Sequence, residues 1–231
     1  DVVLMKSSIL NHLGKLWFFN FHRYEGDNYR RMREYFAEVL IDDMEEFMLL
    51  QDKRVLDVGG ANGEYCMILN QKRNCDAINL DPNPQNPIWP NTIIGFSDLL
   101  PFEDESFDLV ICRGVLEHVP TDRLPTSLME MYRVTKKGGF CYIVIPPWFN
   151  PHAGHGLKPF HVFGFRATKY LYRILAHKQI SGNSFEDHGL YKVTFAKMAS
   201  LLRATPYKLL ATQDTHFRMH FLTKIPLLRE V

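Results

Sequence analysis

VLDVGGANGEY, residues 55–65, carries Asp57 inside an apolar run and follows it with three glycines, and the ligand that this loop suits decides how the rest of the chain is read. Several nucleotide-binding folds place glycines after their first strand, so the glycines alone do not choose among them. A dinucleotide loop needs glycine at the first, third and sixth positions of GxGxxG. Counted from Gly59 those positions hold Gly59, Ala61 and Glu64, and the sixth fails. Counted from Asp57, the residues fit D-x-G-x-G-x-G with Ala61 in place of the middle glycine. A carboxylate at a strand end above a tight turn suits a cationic ligand with an amine. A diphosphate would be drawn to the helix N-terminus but repelled by Asp57. A nicotinamide oxidoreductase is the weaker reading.

Working outward, the chain from Lys53 alternates short apolar runs with turns and helical stretches: RVLDV, a helix from Asn62 to about Gln71, DAINL, NTIIG, FDLVIC, a helix from about Thr121 to Thr135, and GGFCYIVI. Strands alternating with helices imply parallel βαβ units, and runs apolar on both faces imply a sheet covered on both sides. The expected fold is α/β, a doubly wound, mostly parallel sheet. Asp81 closes the second run in INLDPNP, near the spacing at which an acid meets ribose hydroxyls in such folds. Asp57 and Asp81 can also serve as plain caps of the following helix and turn. One βαβ unit nevertheless delivers both to the carboxyl edge of the sheet, where ligands bind in this architecture.

LPFEDESFDLVICRGVLEHVP, Leu100 to Pro120, with MYRVTKKGGFCYIVIPP after it, resembles the class I S-adenosylmethionine-dependent methyltransferases that act on lipids, quinones, sugars and other small molecules. The resemblance covers about Lys53 to Pro147. It implies a Rossmann-like sheet of the seven-stranded type, with N-terminal helices and a lid loop after the fifth strand, and S-adenosyl-L-methionine as cofactor. By that resemblance Asp57, Gly59, Gly60, Ala61 and Gly63 surround the methionine moiety, Asp81 and Pro82 meet the ribose, Phe96, Ser97 and Asp98 lie at the adenine, and Arg113 and Gly114 line the cofactor. GFSDLLPF departs from the family's GDAxxLPF by placing Phe96 where the acid belongs. Backbone groups at Phe96 and Ser97, with the Phe96 ring stacking, are the preferred adenine contact, and Asp98 reaching from a shifted position is the other. A catalytically inactive binder of the same cofactor, or a nitrogen or carbon methyltransferase, is the alternative function.

Methyl transfer from a sulfonium is an in-line displacement for which alignment supplies most of the rate. A base helps when the acceptor is a hydroxyl. His118, His155 and His161 are the expected catalytic histidines, with His188 a further candidate; Glu117 and His118 read equally well as a loop anchor and a cap. The loop PPWFNPHAGHGLKPFHVFG, with Trp148, Phe149, Phe160 and Phe163, and the N-terminal aromatics Trp17, Phe18 and Phe21 are expected to wall the acceptor pocket. The loop resembles that of enzymes from sugar and natural-product pathways, which points to a hydroxyl on a sugar, glycolipid or natural product. His152 and His155 stand on a Gly-Pro loop without a helix to hold them at ligand spacing, so no metal is expected.

The bounds agree with one domain. The 231 residues, 46% of them hydrophobic, suffice for one full-sized core, divided as a helical cap (1–50), a cofactor core (51–147) and an acceptor side (148–231). Lys plus Arg total 27 against 26 for Asp plus Glu, and no like-charged run forms a nucleic-acid arm. Four cysteines without CxxC spacing suit reduced thiols and a cytoplasmic setting. No apolar run is long enough for a membrane span, and the first residues lack the layout of a signal peptide. Residues 27–50 carry the spacing of a long amphipathic helix. Before them, LNHLGKLWFFNFHRYEG reads as a short helix broken by Gly14 and a turn at Gly26. After the loop come helices at about 166–177 and 194–204, then a strand near 207–215. Only six strands are expected before Val231. The chain begins with Asp1 rather than Met, as an excised segment would, and an extension of about ten to fifteen residues is expected to supply the last strand.

Overall fold

A computed structural model describes residues 9–22, 25–150 and 153–212. Five strands, β1 (Arg54–Val58), β2 (Asp76–Asp81), β3 (Thr92–Ile94), β4 (Phe107–Arg113) and β5 (Thr135–Val144), form one parallel sheet in the order β3-β2-β1-β4-β5. The chain starts in the middle, winds out to β3, and crosses back to β4 and β5. The reversal leaves a crevice at the carboxyl ends of β1 and β4, the place where open α/β sheets bind ligands.

Strand side chains alternate between faces. Val55, Ala77, Leu109 and Ile111 pack against α2 (Asn28–Glu45) and α3 (Glu64–Arg73), meeting Leu40, Met44, Ile68 and Leu69. Leu56, Val58, Leu80, Val110 and Cys112 face the other way, toward Leu124, Leu128 and Met131 of α4 (Leu124–Val134) and Met198 of α6 (Phe195–Arg203). Both faces are therefore apolar, the requirement of a covered parallel sheet.

Local signals set the helix ends. Asn74 ends α3 in the left-handed conformation with its N–H on the Asn70 carbonyl, and Thr194 caps α6 by accepting from the Lys197 N–H at 3.1 Å. Basic residues in the last turns of α3 and α4 suit the helix dipole.

Several boundaries differ from the sequence reading. Gly14 does not break the first helix: α1 (Ile9–His22) runs through it. The ~1 kcal/mol cost of an interior glycine is outweighed by burial of Phe19 and by the buried His12, whose Nδ1 hydrogen-bonds the Tyr35 hydroxyl at 2.7 Å. The turn at Gly26 is present (φ 51°). Helix α2 ends at Glu45, short of Leu50. β5 begins at Thr135, directly after α4, with a register irregularity opposite Phe107 to Leu109. Tyr207–Thr212 form no strand; residues 206–212 lie beside Phe140 and Tyr142 along a large groove at β5. The expected last strand beyond Thr212, and the segment 221–231, lie outside the described residues. Among the described residues no helix is long and apolar enough to cross a membrane.

Candidate functional site

The loop after β1 is a cradle with no room for larger side chains. A Cβ on Gly60 would collide with Asp57 Oδ2 and Asn79 Oδ1. Gly63 sits at φ 87°, where a side chain would also run into Trp89. Gly59 donates its N–H to the Leu80 carbonyl at 2.6 Å. Ala61 adopts φ 52°, a costly conformation for a residue with a Cβ. Two hydrogen bonds hold it there: its N–H donates to Asp81 Oδ2 at 2.9 Å and its carbonyl accepts from Asn79 Nδ2 at 3.0 Å. Asn79 is fully buried and pairs with Asp57 in the strand register. It was not among the expected site residues, because mid-strand asparagine has no signature of its own.

Asp57 is buried at the end of β1, and its Oδ2 has no hydrogen-bond partner among the described residues. Burial raises its pKa to about 7 against the opposing pull of Arg33 and Arg113. The two guanidiniums approach the Tyr65 ring, Arg33 at 5.2 Å and Arg113 at 5.4 Å from its centroid. Arg33 also pairs with Glu64 at 2.9 Å. A buried, unsatisfied carboxylate beside two fixed cations fits a zwitterionic ligand: the ammonium of a methionine moiety for Asp57 and its carboxylate for the arginines. Arg33 comes from α2, where it is one arginine among three in NYRRMRE, and only the packing of α2 on α3 selects it.

Asp81 closes β2 with both oxygens engaged, Oδ2 by Ala61 N–H and Oδ1 by Asn83 N–H at 2.8 Å. A carboxylate accepts about four hydrogen bonds, so capacity for ribose hydroxyls remains. Pro82 follows in an exposed turn. Phe96 is 60% exposed, flanked by exposed Ile94 and Leu99. The Ser97 side chain turns inward to share a 2.9 Å hydrogen bond with Ser127, leaving only its backbone for a ligand. Asp98 faces Arg123, its Oδ2 3.5 Å from the guanidinium.

On the other side of the crevice, β4 ends at Arg113, Gly114 follows it, and a short 3-10 turn, Leu116–His118, presents Glu117 and His118. Glu117 is 4% exposed; its Oε1 lies 3.5 Å from His155 Nε2, and its Oε2 has no hydrogen-bond partner among the described residues. His118 donates from Nδ1 to the Gly189 carbonyl at 2.7 Å and packs edge-on against His155, 4.6 Å between centroids. His118, His155, His188, Gln179, Ser181 and Leu190 line a cavity of about 370 Å³.

His161 does not join them. It is fully buried, edge-on to Trp148, with Nε2 donating to the Trp148 carbonyl at 2.9 Å, and burial lowers its pKa. This placement packs His161 into the fold against Trp148, whereas His155 of the same loop faces Glu117 and His118. Trp148 is likewise buried, against His161 and Phe185. Trp17 and Phe21 stand on the exposed side of α1, and Phe163 is 66% exposed. His152 lies outside the described residues.

Residues 29–193 match the family described as methyltransferase domain. An uncharacterized methyltransferase of Mycobacterium tuberculosis is 29% identical over 189 residues, covering 77% of this chain and 72% of that protein. One from Mycobacteroides abscessus is 30% identical over 203 residues, covering 80% and 75%. Among solved structures, a protein of Pyrococcus horikoshii superposes with a TM-score of 0.54 over 86% of this chain and 93% of that one, at 15% identity, a likeness of fold alone. With the glycine cradle, the acidic end of β1 and this family match together, the chain belongs to the methyltransferase domain family, of the class I S-adenosylmethionine-dependent type.

Proposed function

We propose that this methyltransferase binds S-adenosyl-L-methionine in the cradle between Asp57 and Asp81 and methylates a hydroxyl of a small acceptor, a sugar, glycolipid or natural product, seated on the Glu117 side. The observation that carries the reading is the buried Asp57 carboxylate, with an unpartnered oxygen and under the electrostatic pull of Arg33 and Arg113. The bound cofactor supplies an electrophilic methyl group on a sulfonium.

The chain's own residues supply position and proton management. Asp57 holds the ammonium, Arg33 and Arg113 the carboxylate, and Asp81 the ribose hydroxyls, while backbone groups at Phe96 and Ser97 meet the adenine. Gly114, at φ 66°, takes a backbone conformation that favours glycine directly before the turn that carries Glu117. The Glu117, His118 and His155 cluster is where the acceptor hydroxyl loses its proton, beside a cavity of a size that suits a small molecule. Alignment of the two reactants is worth up to ~7–11 kcal/mol, and proton removal adds ~100- to 10,000-fold. In this reading residues 1–50 cap the cofactor core (51–147) and residues 148–231 form the acceptor side.

The test is a radiolabelled-methyl screen over sugars, glycolipids and phenols with calorimetric binding of S-adenosylhomocysteine. Label in an ether-linked methyl and one binding equivalent are expected. Binding without label in any hydroxyl compound, or label only on nitrogen, would remove the acceptor class.

A further inference from the structure

Glu117, His118 and His155 come from two distant parts of the chain, yet one donor atom from each lies within 4.8 Å of the other two. Backbone contacts fix Glu117 and His118 against residues 189–191. Tyr191 N–H donates to the Glu117 carbonyl at 2.8 Å, and the Gly189 carbonyl accepts from His118 Nδ1 at 2.7 Å. A carbonyl can only accept, so Nδ1 carries the proton and the lone pair of neutral His118 is on Nε2. An imidazole whose far nitrogen donates to a carbonyl is the usual arrangement of a metal-binding histidine. His155 Nε2 and Glu117 Oε1 stand 3.5 Å apart. That is longer than a good hydrogen bond, but it suits two ligands each about 2.0–2.1 Å from a shared ion. The second carboxylate oxygen, Oε2, is buried without a hydrogen-bond partner among the described residues, on a side chain that is 4% exposed.

We propose that Glu117, His118 and His155 form a binding site for one divalent first-row transition metal ion, with its open positions toward the cavity lined by Gln179, Ser181 and His188. Two imidazoles and one carboxylate with open positions are the donor set of catalytic zinc and non-haem iron sites. No ion-binding role was expected for His155 because its only visible neighbour in sequence was His152; the fold supplies Glu117 and His118 instead.

The use of the ion rests on the methyltransferase reading above. An ion held there would make an acceptor hydroxyl on its open side more acidic, and the hydroxyl proton would pass to solvent. This changes the part the histidines play: they hold the ion, and the ion, not an imidazole, prepares the nucleophile.

The test uses the full chain, stripped with chelator and dialysed. Titration with Co2+ is expected to develop visible d–d absorption that saturates at one equivalent, and Zn2+ to abolish it by displacement. Glu117→Gln, His118→Ala and His155→Ala should each weaken Co2+ binding at least ~10-fold, the scale on which even supporting residues of metal sites act. His155 is 44% exposed at its side chain, so its variant keeps the fold, and retained S-adenosylhomocysteine binding checks all three. Asp81→Ala should lose S-adenosylhomocysteine affinity while keeping the Co2+ spectrum, which separates the metal site from the cofactor reading. No saturable Co2+ binding by protein that still binds S-adenosylhomocysteine, or binding unchanged in the three variants, would overturn the site. Methyl transfer undiminished after metal removal would overturn its role on the acceptor.

Discussion

Between Asp57 and Asp81 the proposed cofactor wall is made by one βαβ unit, with Asp57, the glycine cradle, Asn79 and Asp81 all within a short stretch of chain and cross-linked by the hydrogen bonds of Ala61. The opposite wall is assembled from Glu117 and His118 after β4, His155 and Leu157 in the loop after β5, and residues 179–190 beyond α5 (Phe165–Leu175). It is held by a few long-range hydrogen bonds: His118 to Gly189, Tyr191 to Glu117, and Trp148 N–H to the Val193 carbonyl. The difference teaches that the first wall carries its strain in buried charge and forced backbone, and the second in contacts between remote segments. Substitutions should therefore act on ligand affinity and pH dependence in the first, and separate cleanly into folding and turnover effects in the second.

The largest effect is expected at Asp57. Its folded pKa, about 7, lies above the ordinary carboxylate value of ~3.9. The folded state therefore holds more protons than the unfolded state between about pH 4 and 7. Stability is fully present below that window, falls as pH rises through it, and is lowest above pH 7. Asp57→Asn should flatten this profile and stabilise the ligand-free protein at pH 8 by up to roughly 4 kcal/mol, read from urea melts at pH 5 and 8, while weakening S-adenosylhomocysteine. A wild-type profile that rises with pH would break the account.

Next is Asp81→Ala. Two ribose hydrogen bonds to a charged acceptor are worth ~1.5–3 kcal/mol each, so calorimetry should show at least a ~100-fold loss of S-adenosylhomocysteine affinity. The variant also releases Ala61 and Asn83, so a lowered melting temperature should accompany it. Unchanged affinity would take Asp81 out of the site.

Gly60→Ala tests the cradle at constant charge. Its methyl must displace Asp57 or Asn79, and overpacking of this kind costs ~1–3 kcal/mol. The loss should appear in cofactor affinity more than in Co2+ binding. Equal loss of both would mean that the two walls are coupled.

The smallest effect sharpens the contrast within one loop. His161→Ala should destabilise the fold by about 2 kcal/mol, through lost packing on Trp148 and a lost hydrogen bond. His155→Ala should change stability by less than ~0.5 kcal/mol, the usual limit for an exposed position, and lower kcat instead. The reverse assignment, with turnover lost at His161 and stability at His155, would undo the placement of both.

Much of the fold was legible because its signals are local. Short runs apolar on both faces, separated by helices, specify a covered parallel sheet, and the acid at the end of β1 with its glycine turn was visible as a string of eleven residues. The order β3-β2-β1-β4-β5 was not among those signals, because right-handed units of this kind also wind in other orders. What misled was a local cost set against a distant gain: Gly14 lowers helix propensity, yet the burial of His12 and Phe19 keeps α1 whole.

By itself, then, the sequence determined the sheet, its carboxyl edge and the two acids on it, since backbone period and spacing fix these within one βαβ unit. Only the tertiary structure decided that Arg33 stands beside Tyr65 and Asp57, that His161 is buried while His155 reaches Glu117, and that His118 is held by Gly189. Those placements depend on which faces of separate elements meet, and a side chain many residues away in sequence leaves no mark on the local pattern until packing and desolvation bring it to the site.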